Sequence, residues 1–223
     1  DKTSATTASL MFATVKDNGA DSVIEIWDIT TPSIIGGSAI ATVTITGAAT
    51  PTSIAAAMGY IIVGSEDGVT IIDPHDGSWA ERTVGWPKSL STSTTPALTD
   101  NDIQDVAAGV SDQPVHDPRT GGPMPCFGVG YGTGADIVSL IKDDGNVWDR
   151  SGTVGGDVGV AIHDGQLIFA DGVAQQALNV SSPISAITAD DFTRDKYQTG
   201  GNPQVFGPDN EIDAARGLVA VAS

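Results

Sequence analysis

Three histidines, one cysteine and several aspartate-rich turns are the residues whose types could carry chemistry in this chain. A metal centre needs ligands that converge at defined spacings. His75, His116 and His163 fall in or beside turns with no such partners around them. Asp100-Asn101-Asp102, Asp143-Asp144-Gly145 and Asp190-Asp191 hold oxygen donors, but none belongs to a twelve-residue loop of the calcium-binding pattern. Asp and Asn favour turns in any case, because their side chains bond the local backbone. The glycine run Gly128-Val129-Gly130-Tyr131-Gly132-Thr133-Gly134 lacks the Lys-Ser/Thr and the helix start that would hold a phosphate. No serine sits in a Gly-x-Ser-x-Gly elbow. Cys126 lies in an apolar run, the setting of a small buried hydrophobe, and one cysteine excludes an internal disulfide. Asn179-Val180-Ser181 matches the glycosylation sequon, a short and weak pattern. The expectation is a chain with no catalytic residue, no metal ligand and no cofactor.

The elements that carry these residues are strands. Gly59–Trp79 reads as Tyr60–Gly64, a turn at Glu66-Asp67-Gly68, Val69–Ile72 and a second turn at Asp76-Gly77. Short β-branched runs joined by dipeptides that tolerate positive φ are the pattern of a hairpin. The unit recurs at Cys126–Gly132 with Ile137–Ile141, and at Gln166–Ala170 with Val173–Val180. Met11–Val15 with Val23–Ile29 fits it upstream, and Leu218–Ala222 opens it again.

Composition sets outer limits. A chain of 223 residues supports one large all-β domain. Its 28 Asp and Glu against 10 Lys and Arg leave a formal charge of -18. Such a field repels phosphate backbones and anionic headgroups, which argues against nucleic-acid or membrane-surface binding. Solubility is its plainest consequence. No run approaches the length of a transmembrane helix, and no charged-then-apolar leader opens the chain. The first residue is Asp1, so a processed chain or a piece of a longer one is expected.

In order, residues 1–8 read as an N-terminal arm or linker and 9–223 as the repeat domain. Asp17-Asn18-Gly19 turns the first hairpin, Ala39–Thr46 alternates as a half-buried strand, and Pro51 breaks the chain. Trp79–Val84, with Glu81 and Arg82, reads as an outer strand whose charges discourage edge pairing. Asn146–Arg150 reads as another. Gly85–Asp102, Ser111–Pro125 and Pro183–Pro208 read as irregular segments, the last with a helical turn near Thr188–Phe192.

Lined up, each unit begins with a strand of small residues: Ala55-Ala56-Ala57, Val106-Ala107-Ala108, Val160-Ala161 and Ala214-Ala215. Small side chains suit strands that crowd an axis. The second strands recur at a spacing of roughly 40 to 65 residues, which suits four-stranded blades with loop insertions. The expected architecture is therefore an all-β propeller of four-stranded antiparallel blades. About four to five blades would fit, the last unfinished, by the repeat length of such folds. A sandwich or jelly roll would explain the strands but not the repeated order of strand types. The first hairpin lacks a small-residue strand before it, so both ends are expected to supply a second-position strand.

One segment carries a resemblance. Asp105-Val106-Ala107, Asp117-Pro118, Thr120-Gly121, Pro123, Pro125, Ser139 and Ile141-Lys142-Asp143-Asp144-Gly145 resemble a stretch of virion proteins from tailed phages of aquatic samples. There a D-V-A strand precedes a DP-x-TG-x-P-x-P turn, an apolar strand and V-S-V-IKDDG. This chain inserts Tyr131–Asp136 where those proteins have a plain glycine turn. Trp27-Asp28 and Trp148-Asp149 match the WD40 dipeptide, but the Gly-His partner of that family is missing. The resemblance implies a propeller-like building block of a phage tail fibre or appendage, located in the virion. Its partners would be other virion proteins, copies of itself, or a host-cell receptor. It transfers no catalytic or binding residue. The other class in view is a secreted, extracellular propeller enzyme acting on carbohydrate, which would need carboxylates converging on a central channel. No acid/base pair of that kind is recognisable. On the first view the three irregular segments meet the partner, and Trp86, Phe192, Tyr197 and Phe206 within or beside them are the candidate anchors. The same rings would otherwise cap the core.

Overall fold

The computed structural model describes residues 11–19, 21–28, 38–39, 41–46, 50–73, 80–81, 89–90, 96–118, 121–132, 136–152, 158–171 and 177–198. The fold is all-β. Four antiparallel sheets follow one another along the chain, and the described residues include no α-helix. The arm at 1–8, His75, Trp86, Phe206 and the unit at 211–222 lie outside the described residues.

Sheet 1 has the order β1 (Met11–Asp17), β2 (Asp21–Asp28), β3 (Ala41–Thr46). Its first turn needs Gly19, which sits at φ 88° and donates its N–H to Asp17 Oδ1 at 2.6 Å. Strict alternation puts Ala13, Val15, Ile24, Ile26, Val43 and Ile45 on one face. Sheet 2 runs β4 (Pro51–Ala57), β5 (Tyr60–Ser65), β6 (Gly68–Asp73). Its outer position is divided. β7 (Ala80–Glu81) pairs with Ile72 and Asp73, and β8 (Ser89–Leu90) pairs with Val69 and Thr70. The expected outer strand over Trp79–Val84 is thus confined to two described residues. Part of the expected loop Gly85–Asp102 completes it, because β6 has ladder groups left that another strand must satisfy.

Sheet 3 is β9 (Ile103–Val110), β10 (Pro125–Tyr131), β11 (Asp136–Ile141), β12 (Val147–Ser151). Sheet 4 is β13 (Val160–His163), β14 (Gln166–Asp171), β15 (Ala177–Pro183), β16 (Arg194–Gln198). Within the expected irregular segment Pro183–Pro208, the described residues, up to 198, are more regular than expected. Its short helical turn is a 3-10 turn at Ile184–Ala186 rather than near Thr188–Phe192, and Arg194–Gln198 is a strand. The polar run RDKYQ hides that strand, since an outer strand needs little apolar content.

Three apolar layers fill the spaces between the four sheets. Ile24, Ile26 and Ile45 of sheet 1 meet Ile61, Val63 and Ile72 of sheet 2. On the other side of β5 and β6, Tyr60, Ile62, Val69 and Ile71 meet Ile103, Val106, Phe127, Val129 and Tyr131 of sheet 3. Sheet 3 then turns Cys126, Val138 and Leu140 toward Val160, Leu167 and Phe169 of sheet 4. Strands buried on both faces must be apolar at every position, which explains the unbroken runs of β5 and β10. Each fully buried side chain of this size contributes about 1.5–3 kcal/mol.

The small-residue strands β4, β9 and β13 stand at the same edge of their sheets, and β9 lies between the other two. Close approach is built into the sequence there. A Cβ at Gly128 would come within 2.6 Å of Leu167 Cδ1, and one at Gly130 would strike the Val158 carbonyl oxygen. The glycine run of β10 is therefore a packing device for sheet 4. Asp105 of β9 ties the three strands together. The Ser53 hydroxyl of β4 donates to its Oδ1 at 2.8 Å, and the Val160 N–H of β13 donates to its Oδ2 at 2.8 Å. One expectation changes: β1 is the edge strand of sheet 1 and lies against β4, so the chain's first described strand holds the first position of its sheet. Its Ala13 and Val15 are small enough for that place.

Candidate partner-contact surface

Because β4, β9 and β13 run side by side in the same sense, the connections that follow them gather at one end of the sheets. The longest is the excursion between β9 and β10, inside the expected irregular segment Ser111–Pro125. It folds back on itself. Met124 N–H donates to Val115 O at 2.8 Å, Asp117 N–H to Gly122 O at 2.8 Å, and Gly121 N–H to Asp117 O at 2.7 Å. His116 Nδ1 lies 3.1 Å from Gly121 O, a turn-bracing contact for an exposed histidine.

Three sheets hold this excursion. The buried Tyr60 hydroxyl of sheet 2 donates to Asp117 Oδ2 at 2.8 Å. Asp143, in the turn after β11 of its own sheet, accepts from Val115 N–H at 2.7 Å. Toward sheet 4, Ser111 bridges Gly165, and Asp112 takes the Ser185 N–H at 3.0 Å and its hydroxyl at 2.6 Å. Burial pushes the Asp112 carboxyl up, but the hydrogen bonds from Ser185, its own backbone and Ser111 together outweigh it and leave the group below the ordinary carboxylate value. Beside it, the buried Lys142 ammonium donates to Ile187 O at 2.9 Å, and Ile184 N–H donates to Gly165 O at 2.8 Å. Among the described residues, Val115 and, in the β4–β5 turn two residues before Tyr60, Met58 are the large apolar side chains left exposed, at 45% and 47%.

These tethers involve Asp105, Asp117, Lys142 and Asp143, all within the segment that carries the phage resemblance. In the sequence they read only as turn and strand formers; in the fold Asp105, Asp117 and Lys142 join one sheet to another, and Asp143 ties the excursion to a turn of its own sheet. Asp directly before a small-residue strand, or directly before Pro118, was the available signal.

The other candidates fall in different places. Phe192 is 6% exposed and packs in the layer between sheets 3 and 4, so its ring has little surface left for a partner. Tyr197 lies in β16 opposite Leu178. His163 ends β13, exposed. The sequon asparagine, Asn179, is fully buried with its Nδ2 donating to Phe169 O at 3.3 Å, which keeps glycan attachment off the folded chain. Cys126 is buried, and burial first, then the nearby Asp143 charge, pushes its thiol up to about 12. No group of three or more His, Cys, Asp or Glu side chains placed to hold a metal ion occurs among the described residues.

No protein-family model matches this chain. No curated protein matches it either. Among solved structures, a chain from the crystal structure of a nidogen/laminin complex is similar at 10% identity with a TM-score of 0.45. The match covers 85% of this chain and 62% of that one.

Proposed function

We propose that the four sheets are blades of a propeller-like module, and that the chain is a structural part of a phage particle. Its place is a tail fibre or tail appendage, where it works by display and assembly rather than by catalysis. The observation that carries this is the excursion at 111–124. A long connection is tied to three sheets, yet it leaves Val115 and His116 facing outward. Binding loops on a rigid support lose little freedom on meeting a partner, so contact energy is not spent on ordering them. The carboxylates of this end are engaged as acceptors, Asp117 and Asp143 inside the fold and Asp112 at its surface.

The partner is another virion protein, a second copy, or a host surface receptor, with Trp86, Tyr197 and Phe206 as further contact candidates. Val115→Asp with His116→Ala, in a chain that still folds, should weaken particle assembly or adsorption to host cells. Portal and tail genes next to the coding sequence would agree with this role. Unaltered assembly and adsorption, together with polysaccharide cleavage by the purified chain, would replace it with the carbohydrate enzyme.

A further inference from the structure

At one edge of the sheets β1, β4, β9 and β13 stand against one another, and at the opposite edge the four sheets are finished differently. Sheet 2 closes on β7 and β8, two residues each. On sheet 3 the carboxylates of Asp190 and Asp191 take the Asp149 and Ser151 N–H groups along β12. Sheet 4 closes on β16, RDKYQ, with Arg194, Asp195 and Lys196 in its run. Very short strands, covered strands and charged strands all keep a sheet edge from pairing with other chains. β3 has none of these devices. Its six residues, ATVTIT, include no charge and no proline, and it runs beside β2 without a bulge from Ala41 to Thr46. Among the described residues β3 pairs with β2 alone, so every second residue turns its N–H and C=O away from the sheet.

We propose that β3 is a self-association edge. A second copy of this chain adds its own β3 antiparallel to it, and the two three-stranded sheets become one continuous sheet. Charge argues for copies meeting here. The formal charge is -18, so two copies repel as whole bodies. Residues 29–65 hold no Asp, Glu, Lys or Arg, and β3 lies inside that stretch. A meeting at β3 therefore brings no carboxylates of the strand together. The strand is also self-complementary. Val43 and Ile45 belong to the apolar layer against sheet 2, whereas Thr42 and Thr44 are exposed. A two-fold axis at Thr44, perpendicular to the sheet, sets Val43 of one copy opposite Ile45 of the other. The apolar row then runs on across the junction. On the outer face threonine meets threonine, a favourable cross-strand pair. The inference does not depend on what the excursion at 111–124 binds.

The test is the oligomeric state of the full chain, followed by sedimentation over a range of concentrations. The unaltered chain should associate to twice its own mass. Thr44→Lys and Thr44→Asp each set like charges against one another at the two-fold axis, and each should weaken the dimer about tenfold or more. Both changes fall at an exposed position opposite Val23 of β2, outside the apolar layer, so the chain keeps its core. Mixed in equal amounts, the two variants should form a dimer again, with one copy of each. Neither a folding defect nor an interface elsewhere gives that recovery. A chain that stays monomeric at every concentration would overturn the proposal. So would a dimer that survives both single charges, or one that mixing does not restore.

Discussion

Asp105 shows how one side chain can hold neighbouring sheets. It accepts the Ser53 hydroxyl, its own strand's Val106 N–H at 2.9 Å and, across the junction, the Val160 N–H. Asp105→Ala would remove this acceptor from the Ser53 hydroxyl and the Val160 N–H in a half-buried site, while the Val106 N–H keeps Ser53 Oγ at 3.2 Å. The expected cost is about 1–3 kcal/mol, read as a shift of the denaturant midpoint. Ser53→Ala, which removes one donor to Asp105 and one acceptor of the Val106 N–H but leaves the bond to Val160 intact, should cost less. Gly130→Ala tests close approach. Its Cβ would press on the Val158 backbone, and overpacking of that kind costs about 1–3 kcal/mol. Gly121→Ala is the control. Gly121 has a φ of 73° with open space around its Cβ position, so only the left-handed conformation is penalised, by roughly 1–2 kcal/mol. At this scale the sequence was partly legible. The glycines of β10 were readable as packing residues because no phosphate-loop context surrounds them. Asp105 and Asp143 were not readable as tethers, because an aspartate beside a turn has a local role that explains it equally well.

At the scale of elements, sheets 3 and 4 are joined by carboxylates as well as by their apolar layer. The loop before β16 covers the outer edge of β12. Asp149 N–H donates to Asp190 Oδ1 at 2.9 Å, Asp191 N–H to Asp149 O at 2.8 Å, and Ser151 N–H to Asp191 Oδ1 at 3.0 Å. An edge strand with its ladder groups occupied cannot recruit another chain. The Ser151 hydroxyl and N–H hold the Asp191 carboxyl below its usual value, with a small further contribution from Arg150. Asp112, on the same junction, is depressed too. A depressed carboxylate contributes stability that is complete above the unfolded value of about 3.9 and is lost as pH falls through the folded value. Chemical unfolding at pH 7 and at pH 3 should therefore show a loss in acid. Asp112→Asn with Asp191→Asn should make that loss smaller, while lowering the midpoint at pH 7 only modestly because both groups face solvent. An unchanged pH dependence in the double variant would mean that these bonds do not couple the sheets. The central strands were legible from their apolar runs. The outer strands β8 and β16 were not, because short polar strands take their place from the neighbour they pair with rather than from their own composition.

At the scale of the molecule, the serial sheets and the excursion at 111–124 are tied into one support. Small-residue strands, spaced turns and alternating burial pointed to the repeated sheets. The position of β1 was misjudged, since its Ala13 and Val15 do not form the run of alanines that marks β4. The excursion at 111–124 could be named only as a long irregular segment, because the bonds that hold it come from Tyr60, Asp143 and Ser185, which are distant in sequence. Hydrogen exchange on the purified chain measures that hold directly. The amides of Val115, Asp117, Gly121 and Met124 each have an acceptor, so they should exchange as slowly as those of the strands flanking them. Tyr60→Phe should speed the exchange at Asp117 and Gly121 and leave β14 unchanged. Exchange of all four amides at the rate of an unstructured peptide, in a chain whose strands stay protected, would contradict the account.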